Sequence, residues 1–212
     1  MSTIKLYDCD TAPSPRRTRI LQAEKGVEHQ IIQVDLRNSQ QLSDEYKAIN
    51  PRCTVPFLIT EDGQGLSENV AIALYLEEVK PNPIMIGRTP IEKARTLEWN
   101  SRVEFECFVA AQEILRNTSK ALKGRALTGP HNIEQIPELA DRGRYRLELF
   151  YNDLNHQLKH NDFVAGNFFS FADISAVVAI DFSKWVKMFP DGRYASILQW
   201  HSKISKRSSY SA

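Results

Sequence analysis

The sequence predicts an α/β unit followed by an all-α helical unit, and three observations support this prediction. Residues 1–80 alternate short apolar runs with amphipathic stretches, which is typical of an α/β unit. Lys80–Pro90 contains three prolines and one glycine without periodicity, as interdomain linkers do. Beyond it, apolar residues recur at helical spacing. We therefore predict domains at 1–80 and 90–212, joined by a linker at 81–89.

The first elements follow from breaker residues placed between apolar runs. Ile4–Tyr7 is predicted to be a strand, and Arg16–Lys25 a helix that Gly26 ends. Gln30–Val34 is predicted to be a second strand. Because a helix connects it to the first strand, we expect the two strands to be parallel.

The rest of the first unit is predicted to hold a short helix, a hairpin and a third helix. Asn50-Pro51 ends the short helix, because a residue before proline is pushed away from helical angles. Asp62-Gly63 lies between two apolar runs, which indicates a hairpin turn. The predicted ranges are Ser43–Ile49 for the helix, Phe57–Thr60 and Leu66–Ser67 for the hairpin strands, and Asn69–Val79 for the last helix. The predicted order is β-α-β-α-β-β-α.

The second unit is predicted to be helical throughout. Ser170 and Asp173 form a capping-box pattern at the start of the most apolar helix, which we expect to continue through Trp185 and Met188. The basic, serine-rich tail from Ser205 is expected to be frayed. Three further helical faces are Trp99, Val103, Cys107, Ala110 and Ile114; Leu147, Phe150, Leu154 and Leu158; and Ile197, Trp200 and Ile204.

Composition and charge disfavour several classes of protein. Hydrophobic residues make up 42% and charged residues 25% of the 212, near the average for soluble globular proteins. A formal net charge of +1 gives no chain-wide field to attract nucleic acid. No segment approaches the ~20 apolar residues of a membrane span, and the amino terminus lacks the pattern of a signal peptide. We expect no nucleic-acid or membrane partner.

The cysteines and histidines indicate neither disulfides nor a metal. Three widely spaced cysteines form no Cys-x-x-Cys pair and no disulfide framework, so we expect a reducing, cytoplasmic location. The five histidines show no ligand spacing, and we expect no metal site.

Several motifs occur in a fixed order along both predicted domains. They are Leu6-Tyr7, Ala12–Ile20, Ala23–Gly26, Asn50–Leu58, Leu66–Ile72 and Phe169–Ile174. Together they resemble the cytosolic glutathione S-transferases of bacterial type. The resemblance implies a thioredoxin-like first domain, a helical second domain, glutathione as co-substrate and a homodimer.

The resemblance assigns glutathione contacts to two segments. Val55 directly precedes Pro56. In the family this proline is cis, and the residue before it turns its backbone N–H and C=O toward the cysteinyl part of glutathione. Glu68 would pair with the substrate ammonium, and Asn69, at a helix N-terminus, would donate to the γ-glutamyl carboxylate. Two alternatives stay open: Pro56 only begins a strand, and Glu68-Asn69 is an ordinary helix start.

The sequence departs from the family at the groups that would bind and ionise the thiol. Ala12 stands where several classes place the catalytic Ser or Cys, so the hydroxyl candidates are Ser14, which we favour, and Thr11; Ser14 as a mere turn or capping residue stays equally open. Thr54 replaces a frequent Lys, and Arg52 would meet the glycyl carboxylate instead. Tyr7 is a third candidate in principle, but a buried strand tyrosine is the favoured interpretation.

The other candidates are the cysteines and a helical group. Cys53, at the family's usual Gly, is interpreted as a small buried residue rather than a mixed-disulfide site, and Cys107 as core. Cys9 lacks a partner two residues on, so a dithiol mechanism is poorly supported. The electrophile pocket is expected between the Thr11–Ser14 loop and the second domain's first helix, with Trp99, Arg102, Phe105 and Glu106 as its lining.

The predicted function is conjugation of the glutathione thiolate to a small hydrophobic electrophile, a detoxification reaction. One alternative is a glutathione-dependent thiol reductase or transferase, which would need Cys9 or Cys53 exposed with a lowered pKa. Another is a non-catalytic binding protein of the same fold, which the departures at Ala12 and Thr54 permit.

Overall fold

In the computed structural model, which describes residues 3–212, the amino-terminal part folds around one four-stranded sheet. Its strands are β1 (Lys5–Asp8), β2 (Gln30–Gln33), β3 (Phe57–Ile59) and β4 (Gly65–Leu66), and its helices are α1 (Pro13–Lys25), α2 (Asp44–Ile49) and α3 (Asn69–Val79). The predicted order β-α-β-α-β-β-α is confirmed.

The sheet has the strand order β2-β1-β3-β4. β1 and β2 are parallel, with Leu6 opposite Ile31, as the crossover predicted. β3 is antiparallel both to β1 and to its hairpin partner β4. Since Tyr7 pairs with Phe57, the chain leaving β1 and the chain entering β3 lie at the same edge of the sheet. Two of the predicted site segments, the one that follows β1 and the one that precedes β3, therefore lie close together.

α1 begins at Pro13, three residues before the predicted start. Proline suits the first turn of a helix, because its φ is already helical and its missing N–H has no partner there. The predicted end is confirmed: Gly26 has φ +58°, and its N–H donates to the carbonyl of Ala23.

The carboxy-terminal part is helical, as predicted. Its helices are α4 (Pro90–Arg102), α5 (Val109–Thr118), α6 (Pro137–His160), α7 (Phe171–Ser183) and α8 (Ala195–Ile204). Between α4 and α5 the chain stays helical but widens into a π-helical segment, Val103–Phe108. Of the helices in the described part of the chain, none is long and apolar enough to cross a membrane.

α6 packs closely against α5 at Gly143. A Cβ atom on Gly143 would lie 2.7 Å from the carbonyl oxygen of Ala110 and 3.0 Å from the side chain of Ile114. Real Cβ atoms do not approach a carbonyl so closely, so a larger residue would push the helices apart. Glycine is therefore needed here for space rather than for backbone freedom.

Two predictions about the second unit are wrong at its carboxy-terminal helices. α7 ends at Ser183, so Trp185 lies in a following single 3₁₀ turn and is 56% exposed. The tail is ordered rather than frayed: Ser208–Ser211 forms a 3₁₀ turn, and the hydroxyl of Tyr210 donates to Asp181 at 2.7 Å. A side-chain contact between residues 29 positions apart outweighs the polar composition of the tail.

The chain divides into two compact units. The first runs to Pro83 and also includes Leu127–Asn132 and Ala212, while the second comprises Ile84–Ala126 and Ile133–Ser211. In the first unit α1 packs on α3. In the second, α7 is the most buried element, with 12 of its 13 residues buried.

Candidate functional site

Three segments of the first unit meet at one edge of its sheet. The turn Cys9–Ala12 follows β1, and Val55-Pro56 precedes β3, which pairs with β1. The start of α3 joins them, because the side chain of Asn69 contacts Ser14 at the start of α1. The structure therefore brings together six of the seven residues that the sequence assigned to catalysis and glutathione; Arg52 follows through an ion pair described below.

Val55 presents an unpaired stretch of backbone. The Val55–Pro56 peptide bond is cis, as the resemblance implied. In residues 3–212, neither the N–H nor the C=O of Val55 has a hydrogen-bond partner, whereas the adjacent Thr54 carbonyl accepts from Tyr46 and Asn50. A half-buried residue with an unpaired donor and acceptor suits backbone pairing with an extended peptide just before β3, which is an inner strand of the sheet.

The amino end of α3 has open backbone donors. The residue before the helix is Glu68, and no side chain caps its first N–H groups. These amides and the helix dipole favour an anion at this place. Beside them Glu68 pairs with Arg52 at 3.4 Å, with both side chains about two-thirds exposed (63% and 67%). Such an exposed pair is worth ~0–1 kcal/mol, so a charged ligand displaces it at little cost.

The side chain of Asn69 faces inward rather than toward this opening. Because Arg17 only donates, the amide oxygen of Asn69 is the atom that faces it, at 3.0 Å from Nη2. The same oxygen accepts from the Ser14 hydroxyl at 3.0 Å, and the amide nitrogen donates to Thr18 at 2.9 Å. The Ser14 hydroxyl also accepts from Arg17 at 3.0 Å. Asn69 and Ser14 thus join the starts of α1 and α3.

The turn before α1 leaves few donors open. The Ala12 N–H donates to the carbonyl of Cys9 at 2.9 Å, and Pro13 and Pro15 have no N–H. Within the described chain, the N–H groups of Thr11 and Ser14 are the two in Thr11–Pro15 without a partner. The Thr11 side chain is exposed, with its hydroxyl 3.5 Å from the thiol of Cys9.

The three cysteines are free and buried, as the sequence predicted for Cys53 and Cys107. Cys9 is 8% exposed, Cys53 3% and Cys107 0%. Burial raises the pKa of the Cys107 thiol, which makes it unreactive. Cys53 adopts φ +54°, the left-handed conformation that favours glycine.

The candidate pocket residues of the second unit fall into two groups. Arg102 lies over the ring of Trp99 at 4.6 Å and pairs with Glu106 at 3.1 Å and with Asp153 at 2.5 Å. Phe105 takes no part in these contacts; the residue is 64% exposed, and its carbonyl accepts from Arg146. The sequence-predicted lining is therefore split between an ion-paired group and a solvent-facing ring.

For residues 3–212, no group of three or more His, Cys, Asp or Glu side chains is placed to hold a metal ion. His156 and His160 do stack edge to face on α6, with ring centroids 5.1 Å apart.

Sequence reasoning missed the roles of Arg17 and Thr18. Thr18 lies one helical turn after Ser14, so the helix period alone could have placed it beside that residue. Its contact with Asn69, 51 positions away, had no local signal. No local signal indicated, either, that Leu127–Asn132 belongs to the first unit although it lies in the second half of the chain.

Two protein-family models match this chain, one in its amino-terminal part and one in its carboxy-terminal part. The glutathione S-transferase N-terminal domain matches residues 11–79, and the glutathione S-transferase C-terminal domain matches residues 99–208. A glutathione S-transferase domain-containing protein of Marinobacter aquaeolei has the same fold, with a TM-score of 0.89, 28% identity and coverage of 97% of this chain and 98% of that chain.

Two curated relatives differ in their names. Glutathione S-transferase 2 of Saccharomyces cerevisiae is 27% identical over 96% of this chain and 86% of its own length. The disulfide-bond oxidoreductase YfcG of Escherichia coli is 26% identical over 96% of this chain and 91% of its own length. With both domains matched in order and the fold in agreement, the chain belongs to the glutathione S-transferase family.

Proposed function

We propose that this protein conjugates the thiolate of glutathione to small hydrophobic electrophiles, as part of detoxification in the cytoplasm. One observation carries the proposal: an unpaired backbone donor and acceptor at Val55, and the open amino end of α3, lie beside the Cys9–Ala12 turn and the start of α1. An extended tripeptide with a carboxylate at each end fits such an arrangement.

Glutathione binding is assigned to these groups. The cysteinyl part pairs with the backbone of Val55, and the γ-glutamyl carboxylate binds the N–H groups at the start of α3. Glu68 takes the substrate ammonium, and Arg52, whose side chain is exposed, leaves its ion pair with Glu68 and turns toward the glycyl carboxylate at the other end of the tripeptide. Asn69 contributes its backbone N–H, since its side chain is occupied by Ser14, Arg17 and Thr18.

Thiol ionisation is assigned to the turn before α1. A cysteine thiol with its ordinary pKa of ~8.5 is only a few per cent thiolate at pH 7. Lowering that pKa by about two units stabilises the thiolate by roughly 2.7 kcal/mol. The open N–H groups of Thr11 and Ser14, the Thr11 hydroxyl and the positive end of α1 supply donors of this strength. The Ser14 hydroxyl instead holds Asn69.

The chemical step is nucleophilic attack by the thiolate on an electrophilic carbon. With an aryl halide, a carbon–sulfur bond forms, the carbon–halogen bond breaks and halide leaves with the electron pair. The thiol proton has gone to solvent on binding. The enzyme contributes the ionised thiol and its position.

The test is ultraviolet titration of the glutathione thiolate in the complex, together with turnover of chlorodinitrobenzene. We expect the pKa of the bound thiol to lie well below that of free glutathione, with formation of the dinitrophenyl conjugate. A bound thiol that titrates like free glutathione would reject the proposal. Retention on a glutathione matrix without turnover of an electrophile panel would favour the non-catalytic alternative.

The electrophile pocket is proposed for Trp99, Arg102, Phe105 and Glu106, and a homodimer for the assembly. Apolar side chains exposed on helices support the dimer: Leu74 on α3 is 42% exposed, and Tyr145 and Leu149, one turn apart on α6, are 63% and 47% exposed. Phe105, at 64%, is also largely exposed. On α6, Tyr145 and Leu149 lie on one helix face, and we assign them to the interface on the second unit; Leu74 is assigned to the interface on the first unit.

A second candidate function is thiol–disulfide exchange with glutathione. The observation that favours it is the place of Cys9 in the Cys9–Ala12 turn, with its thiol 3.5 Å from the Thr11 hydroxyl; since Cys9 is only 8% exposed, exchange also requires the turn to open. A Cys9→Ala variant separates the two functions, because exchange with a glutathione mixed disulfide needs that thiol and conjugation does not. Loss of reductase activity with conjugation intact would assign exchange to Cys9.

A further inference from the structure

A network of polar side chains lies behind the turn that precedes α1. Asp8, the last residue of β1, has a fully buried carboxylate. One oxygen accepts from Arg19 of α1 at 2.6 Å, and the other accepts from Gln33 of β2 at 2.9 Å. Asp8 and Gln33 are register partners in the parallel pair. The carboxylate is therefore neutralised and fixed by two neighbouring elements.

Both partners of Asp8 reach on to the backbone of the turn. Arg19 donates to the carbonyl of Cys9 at 3.4 Å and to the carbonyl of Asp10 at 3.1 Å. The side-chain oxygen of Gln33 accepts from the N–H of Asp10 at 3.1 Å. The two residues directly before Thr11 are thus held on both sides by α1 and β2. The guanidinium divides these contacts between two nitrogen atoms, with Nη1 on Asp8 and Cys9 and Nη2 on Asp10, whereas a lysine at this position has all its donors on one atom.

This attachment limits which donors the turn offers to a ligand. Gln33 occupies the N–H of Asp10, and the carbonyl of Cys9 occupies that of Ala12. The open N–H of Thr11 lies between these two fixed amides. Its direction is therefore set by the residues that hold its neighbours.

We propose that Arg19, held by Asp8 and assisted by Gln33, is a positioning residue that fixes the Cys9–Ala12 turn so that Thr11 meets the glutathione thiol. This inference rests on the proposed function, because it assumes a thiol ionised at this turn. Arg19 acts through the backbone; its own side chain is 12% exposed and its guanidinium is engaged with Asp8, Cys9 and Asp10.

The test compares Arg19→Lys with Gln33→Met. Lysine keeps a cation beside Asp8 but loses the contacts with the turn, and Gln33 is exposed, so both chains should fold. For Arg19→Lys we expect the pKa of bound glutathione to rise by about one unit and kcat with chlorodinitrobenzene to fall about tenfold below pH 6.5, with KM for glutathione within about twofold of wild type. Gln33→Met should shift both in the same direction by less.

A matched control separates positioning from stability. Glu77→Gln breaks the buried Lys25–Glu77 pair, 2.6 Å long, elsewhere in the same unit. We expect it to lower the melting temperature as much as Arg19→Lys or more, with the thiol pKa unchanged. If Glu77→Gln raises the thiol pKa equally, or Arg19→Lys and Gln33→Met leave it unchanged, the inference is wrong. If wild-type protein fails to lower the pKa, the proposed function itself fails.

Discussion

The Ser14 hydroxyl donates to the side-chain oxygen of Asn69 at 3.0 Å, across 55 positions of sequence. This bond joins the starts of α1 and α3, the two helix ends that face the proposed glutathione site. It also engages the proton that an activating serine would offer to a thiolate. Removing Ser14 and removing Thr11 should therefore have different consequences.

Thr11→Val should raise the pKa of the bound glutathione thiol by about one unit, because it deletes an exposed donor beside the thiolate. Ser14→Ala should leave that pKa nearly unchanged and lower the free energy of unfolding by about 1–2 kcal/mol, since Asn69 loses a partner. Ultraviolet titration and urea unfolding measure the two effects. A raised pKa in Ser14→Ala alone would return the activating role to Ser14.

Lys25 should be essential for the stability of the first unit. Its buried ammonium pairs with Glu77 at 2.6 Å and donates to the carbonyls of Lys80 at 2.7 Å and Pro83 at 2.9 Å. Lys25→Met removes the cation from a buried ion pair together with two hydrogen bonds, and should cost about 3–5 kcal/mol. In the double variant with Glu77→Leu the cost should be smaller than the sum of the single costs. Additive costs in denaturant unfolding would show that the pair is not coupled.

Asp173 should give the second unit a distinct pH dependence. Burial raises the pKa of this carboxyl to about 6, against hydrogen bonds from Val164, Trp200 and Ser170 that lower it. The folded state then binds the proton more tightly than the unfolded state, so this group stabilises the fold at pH 4 and the contribution is lost as pH rises through about 6.

The variant Asp173→Asn isolates this contribution. The free energy of unfolding of wild type minus that of Asp173→Asn should fall by on the order of 3 kcal/mol between pH 4 and pH 7. Chemical unfolding at several pH values measures the difference. A difference that is constant, or that grows with pH, would contradict the raised pKa.

Cys53 should tolerate glycine better than valine. At φ +54° a side chain costs about 1 kcal/mol, and burying a small thiol returns a similar amount, so Cys53→Gly should change stability by less than about 1 kcal/mol. Cys53→Val places a β-branched residue in the left-handed region and should cost about 2 kcal/mol or more. Thermal unfolding of both variants decides this, and equal stability of the two would refute it.

A substitution at Phe105 tests whether this residue lies in the proposed dimer interface or in the proposed electrophile pocket. Phe105→Asp should shift the protein from dimer to monomer in sedimentation analysis if this ring lies between two copies. Trp185→Asp is the matched control, since Trp185 is similarly exposed at 56% on the same unit. A dimer that persists in Phe105→Asp with a raised KM for the electrophile would assign Phe105 to the pocket instead.

Local patterns were sufficient for most of the fold. Helix and strand order, the end of α1 at Gly26 and the capping box at Ser170 depend on residues within one or two turns, and all were predicted. The π-helical segment at Val103–Phe108 was not, because its apolar spacing still fits an ordinary helix. The ordered tail depends on Tyr210 reaching Asp181, which no local pattern encodes.

The sequence predicted those parts of the candidate site that lie within family-like motifs. Val55, Pro56 and the start of α3 came from spacing that resembles the family, and the structure places them at one edge. The tasks of Ser14 and Asn69 depend on which partners their side chains meet, 55 positions apart. Residue type gives the donors available at a position, whereas only the tertiary fold decides where those donors are used.

The burial of α7 determines when its backbone becomes accessible as the second unit unfolds. Helices pack around it and bury nearly all of its residues, so water reaches its amides only after its neighbours have separated. Hydrogen exchange at Val177 or Val178 should therefore follow global unfolding, while the exposed ends of α6 exchange by local fraying. A ligand that binds the native protein would slow exchange in α7 without touching it, which makes this helix an internal reporter of binding anywhere in that cooperative unit.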